Sequence, residues 1–515
     1  MKLLYKSIFF AALSLIVGCD DDFENDVDDI VITSGEADFT TYVALGNSLT
    51  SGFADGALYR SAQENSYPAI LSSRMERAGG GAFTQPLMPD DIGGFANLGL
   101  AGKLQLQIVD GSPVPVPTVA ESNFSSIAAE GPYNNMGVPG AKSYHLLAPG
   151  YGNPAGIEAG LANPYFARFA SSANTTVFQD AMAQQPTFFT LWIGNNDVLS
   201  YAMSGGVGTN QTGNMDASTY GSNDISDPNL VAGIIQNISQ TMVSAGAKGV
   251  LGNVPNVTSI PFFTTVPAQP LSPTNTAYSS RIDQLNEFYA GINQIFAALG
   301  ADDRQIAFSK TVASGIVFID DSLDDLSAQI AGALIQSGYP ATTAQLLGSI
   351  FGQARQSREG DLIPLTMSSR IGALDEIRVQ DLMQMGVSQE QAGLLSLVGL
   401  TYPADEFVLS ADEADQVATA IAEINEGIEN IAAEYNLAHV DMNAMMRELE
   451  SGMLFDGVNY TTDFISGGAF SLDGIHLNGR GYAVIANAFL DAINDQYRSN
   501  LPLVNPNNYP GTTFP

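Results

Sequence analysis

The apolar run Tyr42-Val43-Ala44-Leu45 breaks directly into Gly46-Asn47-Ser48-Leu49-Thr50. A short run that is apolar throughout reads as a buried strand, and the glycine that ends it permits a sharp turn. This places a serine hydroxyl at the carboxyl end of a sheet, where open α/β sheets hold their ligands, and the N–H groups that follow can face an anion. Taken alone, the same residues also describe a strand ending in an ordinary polar turn. Further strand-like runs lie at 187–193, 249–255 and 437–442.

A serine hydroxyl is a weak nucleophile until a base takes its proton, and the base must be oriented by a third group. The chain has three histidines. His476 follows Asp473 by three residues, close enough for the carboxylate to accept the second imidazole N–H. His439 sits in an apolar strand-like run and reads as a packed, hydrogen-bonded residue. His145 follows Tyr144 in a loop with no spaced carboxylate and is the second choice for the base. Two further stretches could present donors to an anion. Residues 135–143 form a Gly/Pro turn with bare N–H groups, and the run 187–193 ends in Gly194-Asn195-Asn196-Asp197, which puts a side-chain amide at another strand end.

Serine, glycine, asparagine, then aspartate and histidine occur here in the order of the four blocks of the SGNH hydrolases, the GDSL family of serine esterases and lipases, which this chain resembles. The resemblance implies a three-layer α/β/α, flavodoxin-like fold with a mainly parallel sheet. It makes Ser48 the nucleophile, His476 the general base and Asp473 the residue that orients it. The implied oxyanion hole uses the N–H of Ser48, the N–H of Gly140 and the amide of Asn196. The pattern G-x-N-D selects Asn196 over Asn195, and N-x-x-x-x-G selects Gly140, with Gly137 next. One departure is visible, since the family's G-D-S-L reads G-N-S-L, with Asn47 in place of aspartate. An amide of equal size preserves the loop while removing a charge. The implied reaction is hydrolysis of carboxylic esters, of acyl lipids in the first place, with no cofactor and no metal. A carbohydrate acetylesterase is the second reading, and a surface lipoprotein that binds lipid or glycan without turnover is the third.

The first residues carry Lys2 and Lys6, then an apolar stretch at 7–17 that is too short to span a bilayer, closed by Gly18-Cys19. This reads as an export signal over 1–18 and resembles a bacterial lipobox, which implies cleavage before Cys19 and a lipid anchor on its thiol. It is the only cysteine, so no intramolecular disulfide can form. Residues 19–38 read as an acidic tether. Its Asp20-Asp21-Asp22-Phe23-Glu24 resembles signals that send lipoproteins to the cell surface in some Gram-negative bacteria, so the expected place is the outer membrane, with the face left open. A net charge of −35 argues against nucleic acid as a partner, because phosphate is repelled.

The expected core covers 39–266 and 411–500. Periodicity marks helices at 281–299 and 412–436, both expected against the sheet, and at 323–356 and 379–400. Residues 267–410 then form an inserted, mostly helical lobe, either a packed extension or a cap whose apolar face lines an acyl pocket. The acidic run 320–325 reads as a helix start rather than a calcium loop. A long excursion with the Pro-rich stretch 113–117 follows the first strand, and 501–515 reads as a loosely held tail.

Overall fold

A computed structural model describes residues 31–109 and 111–515. The export signal, Cys19 and most of the acidic tether lie outside the described residues. Five strands, β1 (Tyr42–Gly46), β2 (Asn135–Gly137), β3 (Phe188–Trp192), β4 (Lys248–Gly252) and β5 (Ala438–Val440), form one sheet in the order β2-β1-β3-β4-β5. Every neighbouring pair is parallel. Every residue of β1 and β3 is buried, as expected of strands covered on both faces. The order 2-1-3-4-5 is one of the two common doubly wound arrangements, and its switch point lies between β1 and β3.

Helices cover the sheet in two groups. On one side, α2 (Tyr67–Glu76) packs against α7 (Gly479–Tyr497). Phe188 and Trp192 of β3 reach this layer, the first against Tyr497 and the second against Tyr67 and Phe489. Strand alternation turns Phe189 and Leu191 to the opposite face. There α4 (Pro228–Ser244) and α3 (Asn195–Met203) pack against α5 (Ala411–Glu434). Each large side chain sealed in these layers contributes about 2 kcal/mol.

A second cluster of buried apolar residues runs from Val266 to Val408. Its helices include Ile282–Leu299, Ser327–Gln336, Ala341–Phe351, Glu376–Gln384 and Gln389–Leu394, with a short hairpin, Val317–Ile319 against Ala354–Gln356. The structure corrects several expectations in this stretch. Helix Ile282–Leu299 does not flank the sheet, because Leu285, Tyr289, Ile292 and Phe296 all point into the lobe's own core. The expected helix at 323–356 is two helices, parted where Gly338 takes a positive φ and Pro340 follows. The one at 379–400 is likewise two helices, Glu376–Gln384 and Gln389–Leu394, parted around Gly386, also at positive φ. The acidic run 320–325 is a turn, and the helix begins only at Ser327.

Prolines 113, 115 and 117 sit in strand Ser112–Pro117, paired with Leu104–Val109 in a hairpin. They fall at alternate positions, the pairs of an antiparallel ladder that need no N–H toward the partner. The final segment is held rather than loose. Val504 exchanges two hydrogen bonds with Asn487, Tyr460 Oη donates to Asn507, and Leu501 and Val504 are buried.

Asp320 instead meets the Arg355 guanidinium at 2.5 Å, and Asp361 takes two more of its N–H groups at 2.6 and 3.0 Å. Asp361 also accepts the N–H of Ala411 at the start of α5, so this buried cluster ties the lobe's return to the sheet's helical layer. Removing the guanidinium strands two buried carboxylates. Arg355→Met is therefore expected to destabilise by about 3–5 kcal/mol, read as a lower unfolding midpoint in denaturant.

Candidate active site

Ser48 opens α1 (Ser48–Ser51), a single turn set directly on the end of β1. Asn47 caps it, its Oδ1 accepting the N–H of Leu49 at 3.0 Å. The Asn47 amide nitrogen donates to Asn195 Oδ1 at 2.9 Å, which an aspartate there could not do. Asn47 thus joins the turns after β1 and β3 without placing a charge between them.

His476 arrives from the far end of the chain on the loop before α7. Its Nε2 lies 2.8 Å from Ser48 Oγ, and its Nδ1 lies 2.9 Å from Asp473 Oδ2. Ser48 is 7% exposed, and the His476 and Asp473 side chains are 14% and 10% exposed. Asp473 Oδ1 accepts the N–H groups of Ile475 and His476 and the Ser471 hydroxyl, while Oδ2 accepts the N–H of Gly56 at 2.8 Å. Burial alone would raise this carboxyl's pKa, but the facing imidazole and these donors hold it well below the usual range. Asp473 is therefore an ionised, acceptor-only group against the histidine. Asn478 pins the same loop, donating to the carbonyls of Gly468 and Phe470 while its Oδ1 caps α7 at Gly481 N–H.

Gly140 and Gly137 are told apart by their N–H groups. The N–H of Gly137 donates to Asn135 Oδ1, and an added Cβ would stand 2.4 Å from the Ser51 nitrogen, so this glycine is there for close packing. Gly140 has a positive φ of 78° in a Pro-Gly turn, and its N–H meets no acceptor among the described residues. The N–H of Ser48, first in its helix, is equally unclaimed. Asn196 Nδ2 gives one hydrogen to Ala141 O at 2.9 Å and keeps a second. Asn195, by contrast, turns its oxygen to Asn47 and braces the serine turn.

Ser48, Asn196 and His476 share one cleft of about 810 Å³ free of protein atoms, counting its mouth; Gly140 does not line it. Apart from Asn47 and Asn195 beside the serine, its other walls are apolar: Trp192, Leu199, Val257, Ile260, Phe470 and Leu477 among them. Helix α6 (Met442–Ser451) contributes Met442, Met445, Met446 and Leu449, a stripe at i, i+3, i+4 and i+7. No residue of 267–410 lines the cleft, so the lobe does not form its wall. The lobe does touch the histidine loop, where Leu365 packs beside Gly474.

The other two histidines are engaged elsewhere. His439 packs in β5, but its Nε2 is buried without a partner, so the expected hydrogen bond at that atom is absent. His145 accepts the N–H of Lys142 and stacks on Tyr151 at 4.4 Å. Sequence reasoning missed the clasp of Asp55 and Gly56 on the Asp473 loop, where Asp55 Oδ1 accepts the N–H of Leu472 and its own N–H donates to Ser471. Such contacts join positions far apart in the chain and leave no local signature. The methionine stripe was readable, although nothing in its spacing says whether it covers a core or a cleft. Among the described residues no group of three or more His, Cys, Asp or Glu could hold a metal, and no helix is long and apolar enough to cross a membrane.

No family model, curated protein or solved structure matches this chain. Burial, helped by the Lys142 ammonium, pushes the His145 imidazole down to about 4. As pH falls from about 6.5 toward 4, the unfolded chain takes up a proton that the folded chain refuses, and stability is lost over that window. NMR titration is expected to show His145 neutral at pH 5.5.

Proposed function

We propose that the chain is an SGNH-type serine hydrolase that cleaves carboxylic esters with long acyl chains. The observation that carries the reading is the continuous Ser48–His476–Asp473 hydrogen-bond chain opening onto an apolar cleft. His476 Nε2 takes the hydroxyl proton as Ser48 Oγ attacks the ester carbonyl, and Asp473 stabilises the imidazolium that forms. The oxyanion receives the N–H groups of Ser48 and Gly140 and the second hydrogen of Asn196 Nδ2. Collapse expels the alcohol, which leaves with the proton from His476. Water, activated by the same imidazole, then releases the acid and restores Ser48.

The cleft supports acyl lipids over acetylated sugars. A pocket matched to acetate alone would leave this apolar surface empty, whereas a hydrocarbon chain covers it and gains about 0.8 kcal/mol for each buried methylene. Methionine suits such a wall, because its unbranched side chain refits to chains of different length. The lipobox-like Gly18-Cys19 supports a lipid anchor on Cys19 that would hold the protein at the outer membrane. Labelling with a radioactive fatty acid is expected to mark the wild type and not Cys19→Ser.

Hydrolysis of p-nitrophenyl esters from acetate to palmitate tests the reaction. Rates are expected to favour chains longer than acetate and to vanish in Ser48→Ala. His476→Ala is expected to lose at least about a hundredfold, and Asn196→Ala about a hundredfold in kcat. Met446→Trp, which fills the cleft, should raise KM for long chains and spare acetate. A preference for acetate in the wild type would favour the acetylesterase, and no turnover on any ester would favour a binding lipoprotein.

A further inference from the structure

The turn that carries Gly140 is fixed from outside by Asn163. Val138, Pro139, Gly140 and Ala141 close through the N–H of Ala141 on the Val138 carbonyl at 3.1 Å, and the positive φ of Gly140 makes this a type II turn. Type II differs from type I by reversal of the central peptide, here Pro139–Gly140. In a planar trans peptide the C=O and N–H point in opposite directions, so whatever holds the carbonyl also aims the N–H.

The Pro139 carbonyl accepts from Asn163 Nδ2 at 2.7 Å. The Asn163 amide has no freedom to turn over. Its Oδ1 accepts the N–H groups of Tyr165 and Phe166 as the cap of the short helix Pro164–Ala167, and the other Nδ2 hydrogen goes to Tyr151 Oη at 3.1 Å. With the oxygen committed to two backbone donors, the nitrogen must face Pro139. On the opposite end of that peptide, the Gly140 N–H meets no acceptor among the described residues, and the space where a Cβ would stand is empty. Asn196 holds the following carbonyl, Ala141 O, from the cleft side.

We infer that Asn163 is a positioning residue for the oxyanion hole, keeping the Pro139–Gly140 peptide in the orientation that presents the Gly140 N–H. This rests on the hydrolase reading. Loss of the Nδ2 donor lets the peptide turn over to type I, which withdraws one of three oxyanion donors while leaving Ser48, His476 and the cleft intact.

Asn163→Asp tests it, since aspartate caps the helix as well as asparagine but cannot donate to Pro139. Asn163→Ser makes the same test without a charge, its hydroxyl being too short to serve both ends. Both variants are expected to melt with the wild type and to keep KM on p-nitrophenyl octanoate, while kcat falls about ten- to a hundredfold. Inhibition by octylboronic acid, whose tetrahedral adduct with serine uses the hole, should weaken by a similar factor. Wild-type kcat and boronate affinity in either folded variant would overturn the role of Asn163 and leave the hydrolase reading standing. A fall seen only in the aspartate variant would assign the effect to its charge and also overturn it. Absence of Ser48-dependent hydrolysis in the wild type would remove both.

Discussion

The hydrogen bond between His476 Nε2 and Ser48 Oγ joins positions 428 residues apart, and much of the architecture serves to hold its two ends in register. Neither end is free. Ser48 is fixed by β1 behind it and by the Asn47 cap, which is anchored in turn to the end of β3. His476 is fixed by Asp473, by Asn478 at the head of α7, and by the Gly56 N–H that reaches the Asp473 carboxylate from the serine's own side. The segment after the serine thus helps to build the environment of the histidine. A displacement of the 55–56 turn would disturb both partners together, and that coupling makes a bond across so much chain reproducible in every folded molecule.

The same arrangement reconciles an acidic protein with a charge-poor site. The chain carries a formal charge of −35, yet Asp473 is the one ionised group in the hydrogen-bond chain, and it is screened from solvent by the donors around it. Asn47 extends this economy, since an aspartate in its place would add a second negative charge beside the Ser48 hydroxyl. In the apolar surroundings of the cleft, a repulsive charge there would act through little dielectric screening. The amide keeps the cap and supplies a donor to Asn195 instead.

How much was legible follows from how local each feature is. Asp473 and His476 lie three residues apart in one short motif and Ser48 ends a strand, which made them candidates that the family resemblance joined, and the strands β1, β3, β4 and the short β5 could be read from their largely apolar runs. Strand β2, only three residues, was read as part of a turn because its pairing with β1 comes from tertiary register rather than from its composition. The lobe's extent was visible in its helical periodicity, but its role was not. An apolar stripe must be covered by something, and periodicity does not name the partner; Tyr289 and Phe296 found it within the lobe, while Met442 and Met446 pack on the sheet's core and also line the cleft. Helix ends at Gly338 and Gly386 were missed because the positive φ that stops each helix is set by the chain's path beyond it.

The lobe's contribution is then best placed through Gly474 rather than through the cleft wall. Gly474 lies between the carboxylate and the imidazole of the site, takes a positive φ, and gives its carbonyl to the N–H of Phe262. Leu365 of the lobe packs over it, so close that a Cβ on Gly474 would stand 3.1 Å from the leucine's Cδ2. A side chain at this position would be strained by the backbone and crowded by the lobe at once. The three-residue spacing from Asp473 to His476 works because the chain can fold sharply at Gly474, and the lobe closes the outside of that fold. An insertion with no residue in the cleft thereby packs on the turn that joins the Asp473 carboxylate to the His476 imidazole.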